Sequence, residues 1–398
     1  MSLVPSSYGP LLRTPTVARA LGTSLLARVG QPAGALAVTL LVIQRTGSYA
    51  AVGVVAATWV IGVGVGSLFW SRLVDGGRSA RAVLVGTAAG NAAGLVALVT
   101  VRTGSALALT GLTLAAALFT PPAVPVVRAL WPVVLTEPDA RASMYSLEAT
   151  VQELIFIVGP SLAGAAAAVA SPSAAVLLAG VLAVVGAVSF AATPGLERIG
   201  SSERPPVRPG ALVPLVPLFA AGFLLLCGLS WVEVGVVGAA GTAGDTAATG
   251  ALFAVWSAGS LVGGLLGGAR PARRGPGRRL LLLLAAVAGG HALLAVYPGL
   301  VALGALLVLA GGLVAPALAG IYTLVGEVAP AGAVAQTFAG LAVAFLGGSA
   351  TGSALAGLVV QAHGPGTAFL LGAVPPALAA VLVGLTIARS VAVPRPAG

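Results

Sequence analysis

The stretch from 47 to 68 reads GSYAAVGVVAATWVIGVGVGSL, with no charged side chain in it. A helix needs about 20 such residues to cross a hydrocarbon core about 30 Å thick. Shifted by 197 residues the chain reads GDTAATGALFAVWSAGSLVGGL. Gly47, Ala50, Ala51, Gly53, Ala57, Trp59, Gly62, Gly66 and Leu68 then fall on Gly244, Ala247, Ala248, Gly250, Ala254, Trp256, Gly259, Gly263 and Leu265. The shared Trp and glycines exceed what a Gly/Ala-rich composition produces by itself. A fainter echo aligns Gly159, Leu162, Ala163 and Gly164 with Gly352, Leu355, Ala356 and Gly357. An apolar helix that recurs half a chain later predicts a duplicated membrane bundle.

The rest of the chain agrees with this reading. Of 398 residues, 58% are hydrophobic and 8% charged, and the mean hydropathy is +1.06. Soluble domains carry charge on about a quarter of their residues, so most of this surface faces lipid. Apolar runs lie near 17–43, 50–71, 82–101, 105–127, 143–169, 173–192, 213–237, 247–269, 280–297, 299–325, 333–360 and 366–388. They are continuously apolar, without the alternation of barrel strands. The expected fold is therefore an all-α integral membrane protein whose 12 transmembrane helices form two pseudo-symmetric six-helix bundles. The polar, proline-rich stretch between them divides the chain into a first bundle at 1–192, a linker at 193–212 and a second bundle at 213–398. Residues 1–12 carry no basic n-region, so the first helix is expected to be retained rather than cleaved.

The formal net charge is +10, carried by arginine without lysine. These arginines stand in short segments between apolar runs and form no stripe beside stacking aromatics, which argues against nucleic acid. Arg45 and Arg102 alone fall in loops on the face opposite the N-terminus, Arg28 lies within the first helix, and the others share the N-terminal face. The positive-inside rule then places both termini in the cytoplasm. Cys227 is the only cysteine, and His291 and His363 lack ligand spacing, so neither a disulfide nor a metal site is expected. With no phosphate-binding Gly-x-x-x-x-Gly-Lys loop, an ATP-driven pump is disfavoured, and no cofactor or enzymatic role is expected.

Small residues carry helix association in lipid. Gly62 with Gly66, and Gly259 with Gly263, give each half a small face on its second helix. Such faces serve static packing, or a surface on which one bundle slides over the other. The five tryptophans, mostly near helix ends, are expected to act as interfacial anchors.

Charges within the spans cost about 2.5–3.5 kcal/mol each and are turned inward or paired. At about 1.5 Å per residue, Arg28 lies about 16 Å into the first run and Glu153 about 15 Å into the fifth. Opposite charges at one depth predict an Arg28–Glu153 pair, flanked by Gln31 and Gln152, with Glu153 as a proton carrier or as half of a permanent bridge. Glu148 is placed to meet Arg128 as a cytoplasmic brace. Asn91 and His291 also reach mid-depth, where they line the cavity or bond a neighbouring helix. Glu233 reads as a solvated helix end.

Three segments then carry a resemblance. Ser71-Arg72-Leu73-Val74-Asp75-Gly76-Gly77-Arg78 resembles the G-x-L-x-D-R-x-G-R loop of the major facilitator superfamily, with Ser in place of the first Gly. The resemblance implies a cytoplasmic gate in which Asp75, Arg78 and Arg81 take the charged roles. Gly159-Pro160-Ser161-Leu162-Ala163-Gly164 is similar to the family's G-x-x-x-G-P-x-x-G-G antiporter motif, with Ile155 and Ala163 at two of its glycines. Pro121-Pro122 through Arg128 resembles a fourth helix whose basic residue is linked with proton transfer. The resemblance implies a drug/proton-antiporter-like carrier that exports its substrate by exchange with protons; the mostly apolar cavity helices, without clustered carboxamides or paired charges, fit a small hydrophobic or amphipathic compound, and the expected carrier is a plasma-membrane monomer working by alternating access. A proton-coupled importer or facilitator of a sugar or metabolite, and a non-transporting scaffold, are the competing readings.

Overall fold

A computed structural model describes residues 8–199, 210, 212–245, 248–268, 275–330 and 332–392, with side chains at all of these but 49, 50, 53, 153, 156, 157, 268 and 387–392. Most of the expected linker, at 200–209 and 211, lies outside the described residues. Helices α1 (Tyr8–Arg13), α2 (Pro15–Thr46), α3 (Tyr49–Asp75), α4 (Ala80–Thr100), α5 (Ala106–Leu118), α6 (Ala123–Val134), α7 (Pro138–Val169) and α8 (Pro172–Ala191) make the first half. Helices α9 (Val216–Thr242), α10 (Ala248–Gly268), α11 (Pro276–Leu294), α12 (Leu300–Gly311), α13 (Val314–Val328), α14 (Val334–His363), α15 (Pro365–Gly372) and α16 (Val374–Ala392) make the second.

Because lipid offers no hydrogen bonds, each crossing keeps its backbone paired internally. Short polar residues start the helices: Ser48, Ser79, Ser105 and Ser171 each accept the backbone N–H three residues on. At the end of α2, Gly47 takes the left-handed conformation at φ 63° and its N–H caps Ile43 O. Two crossings are broken at corresponding places. In the fourth, Pro121 and Pro122 lack an N–H and separate α5 from α6. In the tenth, the Gly311-Gly312 pair separates α12 from α13. The twelfth joins α15 to α16. Among the described residues this gives twelve crossings in two six-helix bundles.

Along α3 the lipid face is plain: Ile61, Val65 and Phe69 are exposed, four residues apart, while Val55, Trp59 and Val63 are buried. The small faces pack inside each bundle and not between bundles. A Cβ at Gly62 would sit 2.6 Å from the Ala117 Cβ, and one at Gly66 would strike Leu118 O, so α3 lies directly on α5. Gly259 and Gly263 meet Val308 O and Gly312 O in the same way, laying α10 on α12. Gly159 packs α7 onto α2, where a Cβ would come within 2.7 Å of Pro32 and 2.9 Å of Val29 O. Pro160 is half-buried inside α7, and Gly164 has open space beside it.

The tryptophans depart from their expected role. Trp59, Trp131, Trp231 and Trp256 are buried between helices. The glycines explain it: Trp59 fills the space beside Gly34, and Trp256 the space beside Gly311. Trp70 is half-buried and donates to Leu118 O at 2.8 Å, closing the fourth-crossing break against α3.

Candidate functional site

The deepest ions gather around one carboxylate. Glu148 on α7 has no exposed surface, and its Oε1 accepts from Arg28 Nη2 on α2 at 2.8 Å and from Arg128 Nε on α6 at 2.9 Å. Its Oε2 accepts from Trp131 Nε1 at 2.8 Å. Arg28 Nη1 donates in turn to Gln152 Oε1 at 3.1 Å. Helical spacing builds the group. Glu148 and Gln152 stand four apart on one face of α7, and Arg128 and Trp131 three apart on α6.

The described partner of Arg28 is Glu148, which the depth argument matched with Arg128 alone. Position 153 stands about 100° round the helix from Gln152, and the Glu153 side chain lies outside the described residues. Two guanidinium groups against one carboxylate leave the cluster one positive charge in excess. The face of Arg128 is covered from the other bundle: its Cζ lies 3.6 Å from the Tyr322 ring centroid on α13 and 5.4 Å from that of Phe338 on α14.

Asn91 and His291 do not line the cavity. Asn91 Nδ2 donates to Ala116 O at 2.8 Å, tying α4 to α5. His291 Nδ1 lies 3.0 Å from Gly372 O, tying α11 to α15. A lone mid-span amide or imidazole is readily held by a backbone carbonyl of a neighbouring helix end, and Ala116 and Gly372 stand in the last turns of α5 and α15.

The bundles meet in the half nearer the chain ends. Asp75, the last residue of α3, accepts Ala335 N at 3.2 Å and Gln336 N at 2.6 Å. Ala333 at the N-cap of α14 has no side-chain oxygen, so Asp75 supplies the cap from the opposite bundle. Beside it, the Ser146 hydroxyl on α7 donates to Gly264 O on α10 at 3.2 Å. The Tyr8 hydroxyl stands 3.2 Å from that carbonyl and 3.3 Å from Ser146 Oγ, so α1 touches both bundles through a fully buried ring. Tyr145 packs on Gly326 of α13 and lies 5.7 Å, centroid to centroid, from Phe338 of α14.

Of the other gate candidates, Arg81 pairs with Glu197 at 2.8 Å within its own half, and Arg78 is exposed. The backbone N–H groups of Glu197 itself and of Gly195, with Arg81 opposite, hold the Glu197 carboxyl below the usual carboxylate range. The small contribution of this exposed pair is thus present above the ordinary carboxylate value and is lost as pH falls through the lowered one.

Asp75→Asn removes the charge that favours the α14 N-terminus, an effect of about 1 kcal/mol. Amide exchange at Ala335 and Gln336 is expected to rise about fivefold. Unchanged exchange would mean that Asp75 does not cap α14 in solution.

Beyond these contacts lies a cavity of about 640 Å³. Gln31, Thr120, Pro121, Pro122, Arg128 and Gln152 line it from the first bundle, and Leu226, Leu229, Glu233, Phe253, Trp256, Ser260, Tyr322, Phe345, Leu346 and Ser349 from the second. Such a volume suits a drug-sized molecule. Sequence reasoning placed Gln31 and Gln152 here but missed Tyr322, Trp131 and Tyr8, and set Glu233 aside. The spacing of Trp131 from Arg128 was the one available signal. The others depend on how the two halves face each other.

Two six-helix bundles closed at one end around a central cavity define a membrane carrier. The model of the Major Facilitator Superfamily matches residues 20–302, and the chain belongs to that family. It is a transporter rather than an enzyme. No curated protein matches its sequence closely enough to be counted. Among solved structures, the human organic anion transporter MFSD10 (TETRAN) superposes with a TM-score of 0.72 at 17% identity, covering 93% of this chain and 99% of that one. A bacterial homologue of the iron transporter ferroportin, in an outward-facing state, gives 0.72 at 14% identity over 94% of this chain and 98% of that one. At such identities the likeness is one of fold.

Proposed function

We propose that this transporter exports a small hydrophobic or amphipathic organic compound in exchange for protons, by alternating access. It acts as a monomer in the plasma membrane with both termini in the cytoplasm. The first bundle comprises 1–192 and the second 213–398, with 193–212 as the linker. The observation that carries the reading is the pairing of a mostly apolar cavity with polar bundle-to-bundle contacts, from Asp75, Ser146 and Tyr8, on the side where α1 begins and α3 ends. On the arginine distribution that side is cytoplasmic, so the conformation is the outward-facing member of an alternating cycle. The bacterial homologue in an outward-facing state is consistent with this assignment.

Proton exchange is supported by the similarity of 159–164 to the antiporter motif and by carboxylates within the spans. Glu153 remains the proposed proton carrier of the first bundle. In everted vesicles, a hydrophobic dye should accumulate when the interior is made acidic, and a protonophore should abolish the accumulation. Glu153→Gln is expected to keep dye exchange while losing pH-driven accumulation. Wild-type accumulation in this variant removes Glu153 from the coupling. Accumulation indifferent to the pH gradient in the parent protein removes proton exchange itself.

A further inference from the structure

The ions of the cavity are not equally available. Arg128 is 3% exposed, bonded to Glu148 and covered by the Tyr322 ring. Arg28 is 3% exposed and spends two nitrogens on Glu148 and Gln152. Glu148 is sealed between them. Glu233 on α9 is different: its side chain is exposed and lines the cavity. Its described partner is a hydroxyl, Ser230 Oγ, 3.3 Å from Oε2. Ser230 in turn stands 2.7 Å from Ser349 Oγ on α14, another lining residue. Among the described residues no cation lies within salt-bridge distance of Glu233. Ser260, on the same wall, is buried with its Oγ unpartnered among the described residues.

We infer that Glu233, with Ser230, Ser349 and Ser260, forms a cation subsite that receives the ammonium or other onium group of a lipophilic substrate. Phe253, Trp256 and Phe345 line the same cavity and offer the substrate's apolar body ring faces, which also attract cations. Exposure decides the sign: both arginines are 3% exposed and held by Glu148, so the exposed ion that the cavity presents to a solute is the Glu233 carboxylate. Alternating access supplies the reason for it. While the cavity is open, water solvates Glu233; closing the outer half strips that water away, and a bare carboxylate in a low dielectric opposes closure. A bound organic cation removes the obstacle, so occlusion is licensed by the cargo.

This inference rests on the proposed amphipathic substrate, and the test separates the two. Tetraphenylphosphonium and tetraphenylborate share size and shape and differ in charge. Each is titrated separately into the full chain in lipid nanodiscs at neutral pH, followed by tryptophan emission, with empty nanodiscs subtracted. The expected result is that the phosphonium binds about tenfold more tightly than the borate, as a charged partner of this kind predicts. Glu233→Gln should abolish the preference and Glu233→Asp should keep part of it. If the borate binds as well as the phosphonium, or Glu233→Gln leaves the preference intact, the subsite is overturned while the apolar-cavity reading stands. If neither ion binds, the reading fails and the subsite with it. Borate binding retained by Glu233→Gln shows that the variant is folded.

Discussion

Glu148→Gln is expected to lower the stability of the transporter by about 3–5 kcal/mol, the cost of stripping one partner from a buried ionic group. Among the described residues the carboxylate is the one anion bonded to the two buried guanidinium groups, Arg28 and Arg128, and it also takes the Trp131 indole. Glutamine keeps the shape but gives up the charge and one acceptor, leaving two cations at one depth with no counterion. Arg28→Met should cost less, about 1–3 kcal/mol, because Glu148 and Arg128 remain as a neutral pair. The asymmetry is the point of the measurement, made by thermal unfolding of the purified variants. Equal losses would show that the group is not limited by its single anion. In the double variant Arg28→Met/Glu148→Gln, the loss should be smaller than the sum of the two single losses, since the second arginine is no longer there to be stranded.

The same group shows how far the sequence can be read. Bilayer thickness fixes span length, so all twelve crossings were legible from apolar runs, and the repeat from the Trp and glycines that recur 197 residues on. Depth was legible too, but the carboxylate it selects depends on the origin chosen. The fifth run starts at 143 where the side chains become apolar, whereas α7 starts at Pro138 and carries Asp139 and Arg141 in its first turns. Ten residues counted from 143 reach Glu153. Ten from Pro138 reach Glu148, which is the residue that meets Arg28. A helix continues beyond the hydrocarbon, and polar residues at its start conceal the true beginning. Position around the axis was less legible still, which is why Asn91 and His291 had the right depth but face helix neighbours instead of the cavity. The resemblance of 71–78 to the gate loop pointed to Asp75, whereas no local pattern encodes the contact of Tyr8 with the second bundle.

Adjacent glycines separate packing within a bundle from contact between bundles. Gly263 lies against Gly312 O of its own bundle, so in Gly263→Leu the side chain must push α12 off α10. Backbone cannot yield as a side chain can, and the expected outcome is loss of folded, monodisperse protein. Gly264 sits one residue on, about 100° round α10, with Thr150 Oγ1 of α7 in the path of a Cβ and Ala315 of its own bundle 3.0 Å away. Its carbonyl also holds Ser146 and Tyr8. Gly264→Ala therefore crowds the Thr150 side chain, whose hydroxyl is bonded to Ser146 O, across the bundle interface, where the strain falls on the contact between bundles and not on the packing within one. The contact that closes the chain-end side is weakened, and the population shifts toward the conformation open on that side. Maleimide labelling of a cysteine placed at Thr150, in a background with Cys227 replaced, should be faster in Gly264→Ala than in the parent. If Gly263→Leu stays folded while Gly264→Ala labels at the parental rate, the assignment of these two faces is reversed, and the small-residue surface is the one that slides.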